Sequence, residues 1–146
     1  MNVVMYKIKR SFDETLRLWN MSTYQCDKVI EGVRCCFTNS LYQIDKDRVI
    51  VGEHKSFCIV NIDKCVIENR IDDESLGYVD CFLKFTDNKT ILCGCSYGRF
   101  FFYNMNTEQY IITYDNHDDA ISDLLLIDDN TFLSCSGDTT IKVWRY

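Results

Sequence analysis

The chain has 146 residues, a mass of 17.2 kDa and a net charge of −6, which is room for one ordinary domain or for part of a repeat array. With 47% hydrophobic and 26% charged residues, it has the composition of a globular chain, not a disordered one. No run of 18 apolar residues offers a transmembrane helix. With 22 Asp and Glu against 16 Lys and Arg and no basic stripe, the sequence argues against a nucleic-acid binder that tracks phosphates.

Taken in chain order, residues 1–7 are too short and too polar for the apolar region of a secretory leader. Apolar and alternating runs then predict strands at 3–10, 16–19 and 24–30. Further strands fall between 33 and 70, between 79 and 114, and from 121 to 144. Polar turns separate them, as at Ile44-Asp45-Lys46-Asp47, Phe85-Thr86-Asp87-Asn88 and Ile127-Asp128-Asp129-Asn130. The runs Leu124-Leu125-Leu126-Ile127 and Cys81-Phe82-Leu83 read as inner strands buried on both faces. The run Phe100-Phe101-Phe102-Tyr103 reads as strand core and not as a ligand platform. The absence of proline leaves every backbone N–H free to join a ladder.

These runs repeat. Ser134-Cys135-Ser136-Gly137-Asp138-Thr139-Thr140-Ile141-Lys142-Val143-Trp144 matches Arg10-Ser11-Phe12-Asp13-Glu14-Thr15-Leu16-Arg17-Leu18-Trp19, with Asp six and Thr four positions before Trp in both. Weaker copies end at Val60 and Tyr103. The anchors Trp19, Val60, Tyr103 and Trp144 lie 41, 43 and 41 residues apart. Asn20, Asn61 and Asn104 each follow an anchor and open a turn.

With this period and these motifs, the chain resembles the tryptophan–aspartate (WD) repeat β-propeller family, over roughly residues 3–146 and most specifically from His117 to Trp144. It departs from the pattern at Asn20, Asn61, Asn104 and Arg145, which stand where the family has the Asp of its dipeptide. It departs again at Asn116, which stands where a glycine precedes the histidine. The resemblance implies an all-β propeller arc of about four blades, with repeats at about 1–32, 33–75, 76–115 and 116–146. The strands should group as 3+4+4+3, without the inner strand of the first blade and the outer strand of the last.

Ser, His and Asp together invite a catalytic-triad reading. The resemblance implies instead a buried hydrogen-bonded tetrad of His117, Ser136 (Ser134 being the alternative), Asp138 and Trp144, which stiffens the blade. Asp13 and Trp19 form the matching partial set in the first repeat. His54 stands at the Asp position of the second, with no partner assigned.

The nine cysteines are odd in number, contain no C-x-x-C pair and follow no leader, so neither a disulfide framework nor a zinc site is expected. The close pairs Cys35-Cys36 and Cys93-Gly94-Cys95 fall inside apolar runs and read as small buried hydrophobes. The acidic clusters Asp72-Asp73-Glu74, Asp118-Asp119 and Asp128-Asp129 fall in loops. Solvation is their ordinary role, and recognition of a basic partner segment is their functional one.

The expected function is a non-catalytic interaction scaffold or adaptor in a multiprotein complex, without cofactor, metal or nucleic acid. It is placed in the cytoplasm, with the nucleus left open. The alternatives are a substrate-recognition subunit of an enzyme complex and a non-functional fragment of a longer propeller. Familiar propellers of this type close with about seven blades, so a four-blade arc exposes its ends. Three outcomes follow: an excerpt of a longer protein, a homodimer of two arcs closing a ring of about eight blades, or a second protein supplying the missing blades.

Overall fold

A computed structural model describes residues 6–34, 40–113 and 116–146. Cys35 and Cys36, the first residues of the strand expected from residue 3, and Tyr114 lie outside the described residues. Among the described residues, fourteen strands form four antiparallel meanders. Blade 1 holds β1 (Tyr6–Arg10), β2 (Thr15–Asn20) and β3 (Gln25–Glu31). Blade 2 holds β4 (Leu41–Gln43), β5 (Arg48–Glu53), β6 (Ser56–Asn61) and β7 (Val66–Asp72). Blade 3 holds β8 (Val79–Lys84), β9 (Thr90–Cys95), β10 (Phe100–Asn104) and β11 (Gln109–Thr113). Blade 4 holds β12 (Ile121–Asp128), β13 (Thr131–Ser136) and β14 (Ile141–Arg145). The 3+4+4+3 grouping is the one read from the sequence.

Turn chemistry sets the period. The tight turn between the second and third strands of each blade needs one residue in the left-handed region. Glu14, Lys55, Gly98 and Thr139 fill it, spaced 41, 43 and 41 apart. The next turn of blades 1 to 3 repeats the device at Tyr24, Cys65 and Glu108. There the asparagines explain their departure from the family pattern. The Oδ1 of Asn20 accepts the N–H groups of Ser22 and Thr23, that of Asn61 accepts Asp63 and Lys64, and that of Asn104 accepts Asn106 and Thr107. An amide oxygen closes this turn as well as a carboxylate does.

One packing rule joins the blades. In the third strand of a blade, alternate residues face opposite neighbours. Phe57 and Ile59 of blade 2 meet Phe101 and Tyr103 of blade 3, with the Phe57 and Phe101 rings stacked at 4.9 Å. Phe100 and Phe102 face the other way, where Phe100 meets the Trp144 ring edge-on at 5.3 Å. The aromatic run is therefore shared between two interfaces. Leu16 and Leu18 of blade 1 pack on Val49, Val51 and Val60 of blade 2 by the same rule. Full burial of one such side chain is worth about 1.5–3 kcal/mol.

The inner-strand expectation holds for Cys81-Phe82-Leu83, which is buried on both faces. It fails for Leu124-Leu125-Leu126-Ile127. Leu124 is buried, whereas Leu125 and Ile127 are exposed. The reason is positional. Blade 4 meets a neighbour only on its Leu124 side, so the alternate residues of β12 face outward.

Candidate functional site

Repeat four brings His117 onto its own blade. The ring is buried, with Nδ1 2.7 Å from Asp138 Oδ2 and Nε2 2.6 Å from Ser134 Oγ. The indole N–H of Trp144 donates to the same Ser134 oxygen over 2.7 Å. These partners set the protons: Nδ1–H donates to the carboxylate, and Nε2 accepts from the serine hydroxyl, whose oxygen takes the indole hydrogen. Asp138 also accepts from the Thr140 hydroxyl at 2.6 Å, the Thr140 N–H at 2.8 Å and the Asp118 N–H at 3.1 Å. The Thr140 hydroxyl first, with His117 and those N–H groups, holds its carboxyl well below the usual carboxylate range. From the other side, the His117 N–H bonds to Gly98 O at 3.1 Å. A Cβ at Gly98 would lie 1.8 Å from the His117 carbonyl oxygen. Only glycine fits this turn, which is also left-handed.

The structure corrects the serine. Ser134, not Ser136, joins His117 and Trp144. The Ser136 hydroxyl donates to Asp119 O at 2.9 Å and accepts the Asp138 N–H at 3.1 Å, bracing the turn. Both serines share a face of β13. Ser134 lies opposite Lys142 on β14, two positions along from the Phe132–Trp144 pair and on the same face. Ser136 has no register partner on β14 and sits beyond the reach of the indole.

In blade 1 the set is half built. Asp13 accepts from Thr15 Oγ1 at 2.6 Å and Arg17 at 2.6 Å, and the Thr15 hydroxyl foremost brings its carboxyl down to about 2. The Trp19 indole N–H is buried without an acceptor. Lys9 stands opposite Arg17 as Ser134 stands opposite Lys142, and an ammonium cannot accept. This was readable, because Lys9 precedes Trp19 by the same ten positions that separate Ser134 from Trp144.

Blade 2 carries a second clamp that no motif flagged. Glu53 is fully buried. Its carboxylate takes Arg70 bidentately at 2.9 and 3.1 Å, the Ser56 hydroxyl at 2.7 Å and the Arg34 N–H at 2.8 Å. Arg70 also donates to Gly32 O. The loop entering blade 2 is thus held by charge where the loop entering blade 4 is held by an imidazole. Burial first, then the Glu53 charge, pushes the Cys58 thiol up to about 12, so it stays a thiol. His54 pairs with Tyr78 through the backbone and stacks on its ring at 4.5 Å.

The acidic loops differ. Asp73 is spent internally, accepting from Ser75 N at 2.8 Å, from the Ser75 hydroxyl and from Tyr110. Asp72 pairs with Arg34, and Glu74 with Lys55. Asp119 caps Ala120 N at 2.7 Å, and Asp118 is exposed beside it. Asp128 bonds the Asn130 N–H in the opposite set of turns. Among the described residues no cluster of His, Cys, Asp or Glu forms a metal cage, the cysteines are free, and no helix is long and apolar enough to cross a membrane.

Inner-strand residues, among them Asp80, Cys81, Ser122 and Asp123, line a cavity of about 800 Å³. Burial alone pushes the Asp80 carboxyl up to about 6. The charged form therefore weakens the fold above that pH, and the penalty fades as pH falls towards 3.8. Asp80→Asn should raise the melting temperature at pH 8 and leave it unchanged at pH 4, by scanning calorimetry.

Comparison with known proteins agrees with this geometry. Residues 108–145 match the family model of the WD domain, G-beta repeat. No curated protein sequence matches the chain. Among solved structures, the computationally designed Ika4 protein superposes with a TM-score of 0.78 at 18% identity, over 96% of this chain and 84% of that one. The computationally designed Ika8 protein does so with a TM-score of 0.77 at 18% identity, over 95% of this chain and 42% of that one. Residues 108–145 thus match a WD repeat, and the described residues fold as a β-propeller arc of four blades.

Proposed function

We propose that the chain is a non-catalytic interaction scaffold whose binding surface is the rim formed by the turns between second and third strands and by the loops entering each blade. One observation carries this reading. Phe12, 76% exposed, and Tyr97, 70% exposed, stand on that rim in blades 1 and 3, and Asp118 and Asp119 stand in the loop entering blade 4. Exposed aromatics flanked by charge are the usual anchors of a protein interface. The acids favour a basic segment as the ligand. WD repeats generally mediate protein contacts, which supports the reading. The Ser134 hydroxyl is fully buried and already shared between His117 and Trp144, which fits a structural role better than a nucleophile's.

Selection of displayed random peptides on the whole chain tests this. Enriched peptides should be basic, weaken with salt and lose at least tenfold in affinity on Asp118→Asn/Asp119→Asn or on Phe12→Ala/Tyr97→Ala. Peptides indifferent to both pairs would place the site elsewhere.

A further inference from the structure

Blade 4 exposes a sheet face built like an internal one. In register, Leu125 and Leu133 face each other across β12 and β13 as Leu83 and Leu92 do across β8 and β9. Ile141 and Val143 on β14 repeat Phe100 and Phe102 on β10. In blade 3 these positions pack on the next blade. In blade 4 they face solvent, with Leu125 59%, Ile141 68% and Val143 67% exposed. A continuous apolar patch of this kind, on the order of several hundred Å², marks an interface.

Blade 1 exposes the complementary kind of face. Trp19 and Arg17 occupy on β2 the positions that Trp144 and Lys142 occupy on β14, the side by which blade 4 meets blade 3. That face is basic through Lys7 and Lys9 on β1. The apolar face of blade 4 carries Asp123 and Asp128 on its inner strand. Asp123 stands at the register position of Cys81, whose thiol contacts the Ile121 carbonyl of the next blade at 3.6 Å. Lysine stems lie well on apolar surface while their ammonium groups reach carboxylates.

We infer that a second copy of this chain covers the blade 4 face, with blade 1 of each copy docking on blade 4 of the other, so that two arcs close one ring through two identical contacts. The contact continues the rule that already joins blades 1 to 4, with Trp19 of one copy set over Ile141 of the other as Trp144 is set on Phe100. A contact between two blade 4 faces would instead bring like carboxylates together. This inference concerns the cut ends of the arc and is independent of what the rim binds.

Light scattering coupled to size exclusion, on the whole chain without ligand, tests it. The expected mass is twice 17.2 kDa. A monomer across micromolar concentrations would overturn the inference, and so would an open polymer. Two variants on exposed positions decide the pairing, each checked for native circular dichroism: Ile141→Lys/Val143→Lys and Lys7→Glu/Lys9→Glu. Each alone should be monomeric, and mixing them should restore a dimer through the one contact that keeps both native faces. A variant that stays dimeric on its own would show that like faces pair, and a mixture that stays monomeric beside a dimeric parent would equally sink the head-to-tail ring.

Discussion

Glu53→Ala is expected to lower the unfolding free energy by about 3–5 kcal/mol, because it strands a charge. The Arg70 side chain is about one-fifth exposed and keeps only Gly32 O, while the Arg34 N–H and the Ser56 hydroxyl lose an acceptor. Against a total stability of about 5–15 kcal/mol, the loss is large. Urea denaturation of the whole chain measures it. The double variant Glu53→Leu/Arg70→Met should recover much of the loss, since no uncompensated ion remains. If the single variant unfolds within about 1 kcal/mol of the parent, the clamp does not hold blade 2.

His117→Ala should cost about 2–4 kcal/mol. It removes the imidazole partner of the fully buried Ser134 hydroxyl and of Asp138, and it loosens the loop, which keeps its backbone bond to Gly98 O. Ser134→Ala should destabilise clearly more than Ser136→Ala, since Ser136 only braces an exposed turn. That ranking checks the serine assignment directly. Asp138 adds a pH signature. Its folded carboxyl lies below the ordinary 3.8, so its contribution is complete above that pH and is lost as pH falls further. Asp138→Asn should flatten that part of the acid-unfolding profile. A His117 variant of full stability that lost only a measured activity would overturn the structural reading.

The clamps show how much of the site is legible in a chain. His117, Asp138 and Trp144 could be read because repeat four keeps its spacing, and a turn residue six positions before an anchor must fall at one end of the same strand pair. The serine could not be resolved. Two serines two residues apart point to one face, and only the register of β14 shows which one reaches the indole. Glu53 and Arg70 gave no signal at all. They sit on strands β5 and β7 with β6 between them, and they meet a loop that precedes both. No local spacing encodes that meeting.

Strand count, sheet connectivity and blade order were determined by the chain alone, because they rest on local quantities. These are a two-residue alternation, polar turns at Asp45, Asp87 and Asp128, and left-handed positions recurring every 41 to 43 residues. Which apolar residues are buried was decided only in three dimensions. Leu83 and Leu125 occupy the same place in the repeat and read alike, yet one is core and the other faces water. Burial depends on whether a neighbouring blade is present. That depends on the position of the repeat in the arc and not on the repeat's own residues.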